Sequence, residues 1–291
     1  MGSVFTSIAL PVALAIVMLG LGLGLTRADF ERVLRHPRVT LAALACQIVV
    51  LPAACFALVL AFDLPPALAV GMMLLAAAPG GTSANLFSHL FRGDVALNIS
   101  LTAVNSVLAL VTLPLIVNFS LGWFGAGADH LGAQAKTALD VVVIVLLPVL
   151  LGMLIRFRRP GWADQMDRPV RRASFTILVL VMLGAIITNW ALLAQEFGRL
   201  SVITVLFCLL SLTVGFVVPR RFGASHPQAV ATSFEIGIHN ATLAIVVAQT
   251  VLGSTELSLP AAVYGVLMLP LAIGFGTLVR SRYGLRPEPA A

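Results

Sequence analysis

The chain is short of charge. Asp, Glu, Lys and Arg make up 10% of its 291 residues, against 59% hydrophobic residues and a mean hydropathy of +1.04. No water-soluble domain of this length carries such a balance, and the composition is that of a polytopic membrane protein. Cysteine is also scarce. Cys46, Cys55 and Cys208 all sit in apolar runs, which argues against a disulfide framework or a zinc site and leaves them as small buried side chains. The sequence has no phosphate-binding loop, no metal motif and no nucleophile with a partner base, so no enzyme is expected. Basic residues are missing ahead of the first apolar run, and Val4 to Leu25 is longer than the core of a signal peptide; it is expected to be a first, uncleaved span.

What is present is a series of apolar runs about 20 residues long without strict alternation, which favours helices over a barrel because each helix satisfies its own backbone in lipid. Nine such runs cover about 4 to 25, 39 to 62, 66 to 91, 95 to 120, 138 to 157, 173 to 194, 200 to 219, 227 to 252 and 257 to 279. Of the 18 Lys and Arg residues, all but Lys136 and Arg199 then fall on one face. The positive-inside rule puts that face in the cytoplasm, with the N-terminus outside and the C-terminus inside. The net charge of +6 is thereby explained as a topology signal, and no nucleic-acid partner is expected. "VMLG" occurs at Val17 to Gly20 and again at Val181 to Gly184, each time opening a set of four spans with a glycine-interrupted third member. Matched spans are five apart and run oppositely, the inverted-topology construction of secondary transporters. The basic stretch from Arg156 to Arg172, with Pro160, Gly161 and Pro169, is the expected linker between halves.

The polar residues inside the spans fall into a pattern. In "AAAPGGTSANLF", residues 76 to 87, Pro79 removes a backbone donor and Gly80 and Gly81 add freedom, so the helix should break and restart with Thr82 or Ser83 as N-cap. A comparable interruption surrounds Gly237 in the eighth span. Either each is a simple kink, or the pair marks a binding site, since unwound backbone at membrane depth must line a cavity or be packed in protein. Asn98, Thr102, Asn105 and Thr112 share one face of the fourth span. Asn98 and Thr102 lie nearest the break and are site candidates; Asn105 and Thr112 read better as hydrogen-bonding glue between helices, the default for Gln47 too.

Glu235 differs in kind, being the sole carboxylate well inside a span. Either it is protonated and packed, or it is ionised and matched by a cation; no Lys or Arg inside a span can serve, leaving a bound ion or a charged His239. His239 follows one turn later, on the same side if the helix is intact between them. The oxygen donors of Glu235, Asn85, Gln47 and Thr102, with carbonyls freed at the unwound turn, suit a hard cation such as Na⁺.

"PGGTSAN" at 79 to 85, "RGDVALNISLT" at 92 to 102 and "EIGIHNATLA" at 235 to 244 resemble the bile acid:sodium symporter family, and the similarity runs from "VMLGLGLGL" to the final span. The resemblance implies an all-α polytopic membrane protein of about nine transmembrane helices, with two inverted-topology repeats and two discontinuous crossover helices. The chain looks like a member lacking the first helix. The first repeat, with the first helix of the second, takes 1–157, a cytoplasmic linker 158–172, and the rest of the second repeat 173–291. A panel domain takes about 4–38 and 138–194, a core domain about 39–120 and 200–279.

The resemblance also implies two Na⁺ sites. Asn85, Asn98 through its carbonyl, Thr102 and Glu235 match the first, with Ala84 where the family has a serine. Gln47, Glu235, Ile236, Ile238 and His239 match the second, with His239 in place of a glutamine. An imidazole offers one nitrogen lone pair and titrates near neutral pH, so coupling there could weaken or pass to protons. Thr82 and Asn240 match substrate contacts, and Ser83 is added because it lies beside the helix N-terminus expected to hold an anion. The expectation is a Na⁺-coupled importer of an organic anion, bile-acid-like or a small carboxylate, in the bacterial inner membrane. A proton-coupled carrier or exporter, and a membrane sensor that binds an anion without moving it, are the alternatives; the shortness of the loops speaks against the sensor.

Overall fold

A computed structural model describes residues 10–24, 26–125 and 147–282. Among them every regular element is helical: α1 (Leu10–Gly24), α2 (Arg27–Val33), α3 (Pro37–Ala61), α4 (Pro66–Ala77), α5 (Thr82–Leu90), α6 (Val95–Phe124), α7 (147–158), α8 (Pro160–Thr188), α9 (Trp190–Arg221), α10 (His226–Gly237), α11 (Ala241–Thr250) and α12 (Leu259–Arg282). Four stretches are long and apolar enough to cross a membrane: α3, α6, α9, and α12 with the short turn before it. Half or less of each apolar window is buried inside the protein, from 39% to 50%. The remainder, including Leu41, Val111, Leu115 and Trp123, faces outward and requires lipid as its solvent.

Local chemistry sets the interruptions. Pro52 in α3 lacks a donor and its ring would strike the carbonyl four residues back; the helix widens upstream into a π turn over Cys46–Val50, where the Leu51 amide bonds Cys46 five residues back. The widened turn carries the buried Gln47. Pro79 ends α4 in the same spirit. Ala78, as the residue before proline, leaves the helical region (φ −69°, ψ 136°). No proline acts at the second break, where α10 ends at Gly237 and Ile238 turns away (φ −116°, ψ 81°).

Some expected boundaries change. The stretch proposed as a linker is helical apart from Arg159, because Pro160 begins α8 where its missing N–H does no harm. The sixth and seventh runs part at Asn189, not near residue 197. Glu196 and Arg199 stay within α9 as an i,i+3 ion pair at 3.7 Å, Arg199 also donating to the Asp63 carbonyl at 3.2 Å. α5 is capped by Gly81, not by Thr82 or Ser83. The three cysteines are free and buried, as expected. Residues 138–146 of the fifth run, Lys136 and Arg286 lie outside the described residues.

The helices pack so that the two breaks meet. α9 lies along α10 and α12, α4 along α6, α1 along α8, and α5 and α6 both contact α10. The α1–α7 approach is closest at Gly22 and Gly152: a Cβ at Gly152 would stand 2.8 Å from the Leu23 nitrogen and 2.9 Å from the Gly22 carbonyl carbon. Gly152→Val should therefore lower stability by roughly 1–3 kcal/mol through overpacking, seen as a lower melting midpoint of the purified protein in detergent. An unchanged midpoint would refute this close helix contact.

Candidate functional site

The break after α4 and the break after α10 pair with one another. Gly81 donates its amide to the Ile238 carbonyl at 2.8 Å and Asn240 donates to the Pro79 carbonyl at 2.8 Å, giving an antiparallel bridge between Gly80 and His239. Backbone groups freed by the two interruptions thus satisfy each other. α5 and α11 start from this crossing. The Asn240 side chain caps α11, accepting from the Leu243 amide at 3.0 Å, and the expected substrate residue Thr82 opens α5, its side chain lying outside what the structure describes. Ser83 follows it, half-buried.

Glu235, fully buried, lies against the crossing. Its carboxylate covers Gly80 so closely that a Cβ there would fall 2.5 Å from the carboxyl carbon and both oxygens. A side chain at 80 would have to displace that carboxylate. The Thr102 hydroxyl donates to Oε2 at 2.5 Å and Asn105 Nδ2 donates to Oε1 at 3.1 Å. Among the described residues no Lys or Arg pairs with it.

His239 does not share a face with Glu235, because α10 stops between them. The imidazole stacks on Phe207 at 5.1 Å with Tyr264 edge-on, and its Nδ1 lies 3.1 Å from the Ala78 carbonyl. A carbonyl can only accept, so Nδ1 carries the hydrogen and Nε2 a lone pair. Gln47 Nε2 donates to the same carbonyl at 3.0 Å, and Asn98 Nδ2 donates to the Ala231 carbonyl at 2.8 Å. In each case the nitrogen is fixed by an acceptor, and what remains is a lone pair. Gln47 Oε1, Asn85 Oδ1, Asn98 Oδ1, Asn105 Oδ1 and His239 Nε2 are all buried without a hydrogen-bond partner. A lone pair buried without a donor is destabilising by about 1–3 kcal/mol; of these residues Asn105 is the one bonded directly to the Glu235 carboxyl group, and the oxygens are of the type that a hard cation takes. The Asn98 carbonyl lies within reach of the Thr102 hydroxyl at 3.0 Å, and the Ile238 carbonyl is engaged by the bridge with one lone pair left. Ile236 is fully buried.

Residues 11–196 match the model of the Sodium Bile acid symporter family. The chain belongs to that family. Family members are transporters, not enzymes, and the membrane-length apolar helices agree with a polytopic membrane protein. Among relatives, an uncharacterized sodium-dependent transporter, YocS, of Bacillus subtilis is 25% identical over 91% of this chain and 81% of its own length. A probable chloroplastic sodium/metabolite cotransporter, BASS1, of Oryza sativa is 30% identical over 88% of this chain, which spans 62% of the rice protein. The human ileal sodium/bile acid cotransporter is 26% identical over 88% of this chain and 73% of its own.

Two residues near Glu235 and the crossing were not singled out as site candidates from the sequence. Asn105 touches the carboxylate directly; its place on the stripe with Thr102 was the available signal. Tyr264 donates its hydroxyl to the Gly237 carbonyl at 2.7 Å, holding the end of α10, and nothing in its apolar segment distinguished it. Gly80→Ala should displace the Glu235 carboxylate and lower stability by about 1–3 kcal/mol. A thermal unfolding midpoint equal to that of the wild type would contradict the contact.

Proposed function

We propose that the protein is a Na⁺-coupled symporter that imports an organic anion by alternating access. The observation that carries this reading is a buried Glu235, bonded to Thr102 and Asn105 and without a basic partner among the described residues, in a chain whose Gln47, Asn85, Asn98, Asn105 and His239 keep buried lone pairs unpartnered. The relatives' names support Na⁺ as the coupled ion. On this reading Asn85, Asn98, Thr102 and Glu235 hold one ion, and Gln47, Glu235, Ile236, Ile238 and His239 the other. The second set is the poorer, because a nitrogen replaces an oxygen.

The anion then lies at the N-terminal ends of α5 and α11, near Thr82, Ser83 and Asn240, where helix dipoles supply the positive potential that side chains do not. Bound cations and anion neutralise one another, so the loaded site can cross between sides without net unpaired charge. Nine spans in two inverted repeats, with a panel and a core, complete the proposal. Its support is that the expected counterparts α1 and α8 pack together, as do α3 and α9, while α4–α5 meets α10–α11 at the crossing. A cytoplasmic C-terminus is supported by the arginine distribution, and the membrane is proposed to be the bacterial inner membrane. A proton-coupled carrier is the second reading, favoured by the imidazole lodged at the crossing.

Uptake into proteoliposomes under separately imposed Na⁺ and pH gradients decides between them, an inward Na⁺ gradient being the expected drive. Glu235→Gln should lower Na⁺-dependent uptake by at least about a hundredfold, since one charged ligand common to both sites is lost; uptake that keeps its Na⁺ dependence returns Glu235 to a packing role. His239→Gln should preserve or strengthen Na⁺ coupling, whereas complete loss of transport in this variant would favour a proton relay.

A further inference from the structure

We propose that Asn105 is an exchange residue of the Glu235 site: its Oδ1 is a ligand to the bound cation, and its Nδ2 takes the cation's place on Glu235 when the ion leaves. The proposal rests on the reading of Glu235 as a cation ligand. Asn105 lies three residues after Thr102 on α6, on the face turned toward α10, and is 2% exposed. Its Nδ2 donates to Glu235 Oε1 at 3.1 Å while its Oδ1, equally buried, meets no donor.

A clamp that served only to join two helices would be expected to satisfy both ends of the amide, as buried polar groups generally do. Here one end is matched to the carboxylate and the other is left as a bare lone pair. The two ends of an amide are nearly the same size and exchange places on a half-turn of the terminal torsion, which has two comparable wells. In the orientation described, the N–H is a partial positive charge on Oε1, a stand-in for the cation. A cation arriving at Oε1 would be repelled by that N–H and attracted by the oxygen behind it, so binding turns the amide over. The empty site therefore keeps a compensated carboxylate, which the return half of a transport cycle requires, and the filled site gains an oxygen ligand. Thr102 has the same double capacity, its hydroxyl donating to Oε2 at 2.5 Å while its lone pairs stay available.

The test is the Na⁺-induced rise in melting temperature of the purified protein in detergent, with choline chloride as the ionic-strength control and no substrate needed. Asn105→Leu should raise the Na⁺ concentration for half-maximal stabilisation by about tenfold or more, a factor equivalent to about 1.4 kcal/mol. Asn105→Asp keeps the oxygen, removes the donor and sets a second carboxylate beside the first. It should melt lower than the wild type without Na⁺, and show a larger Na⁺-induced shift. Unchanged Na⁺ dependence in N105L overturns the proposal, as does an N105D protein whose loss of stability Na⁺ does not repair. Should N105L fail to fold, N105D decides alone. Absence of Na⁺ stabilisation in the wild type removes the parent reading as well, whereas Na⁺ stabilisation lost in E235Q but intact in N105L removes Asn105 only.

Discussion

Two helices broken at the depth of an apolar core must find partners for the backbone groups they release, and in this protein they find them in each other. The bonds from Gly81 to Ile238 and from Asn240 to Pro79 are the constraint on which the site depends. They fix the separation of the two breaks and bring the Gly80 Cα beneath the Glu235 carboxylate, where a Cβ would have to push that carboxylate aside. They also orient α5 and α11 so that both start at the same place. Loss of this pairing would leave four main-chain groups stranded in a medium without water, where each unsatisfied group costs several kcal/mol.

Around the crossing, the apolar shell and the polar residues have opposite roles. Phe207, Phe234, Leu101 and Tyr264 are fully buried or nearly so and exclude solvent. Within that shell, electrostatic interactions act at low dielectric, so an ionised Glu235 would need positive charge beside it to stay ionised. Carbonyls fix the amide nitrogens of Gln47 and Asn98, and this turns their oxygens into preorganised acceptors. On the proposed reading, such an arrangement would need little reorganisation when a cation arrives, because the amide nitrogens are held by hydrogen bonds already made.

Much of this was legible in the residues. Apolar runs report spans because the bilayer imposes length and composition together, and Pro79 announces the first break through both its missing donor and its effect on Ala78. The second break was traceable only to Gly237 and a local excess of polar residues. Its location depends on pairing with a segment about 160 residues earlier, which local sequence cannot report. The direction of His239 was lost for the same reason, since it hinges on whether the helix continues past Gly237. Charges misled near residue 197: Glu196 and Arg199 resemble a loop until their ion pair is seen. Asn105 shows a different limit. A polar stripe says that a face avoids lipid, and Asn105 does bond across to another helix as expected of an interhelical amide, but the spacing could not say that its partner is Glu235.

The Ala78 carbonyl receives hydrogens from two directions, Gln47 of α3 at 3.0 Å and His239 of the second break at 3.1 Å. Each such bond contributes about 0.5–1.5 kcal/mol in net terms, and breaking one would also strand a buried donor. This single oxygen therefore acts as a rivet through three segments distant in sequence. A sliding plane cannot run between α3 and the crossing without shearing it. Separating α3 from the crossed breaks would mean breaking the Gln47 bond and leaving its amide hydrogen stranded.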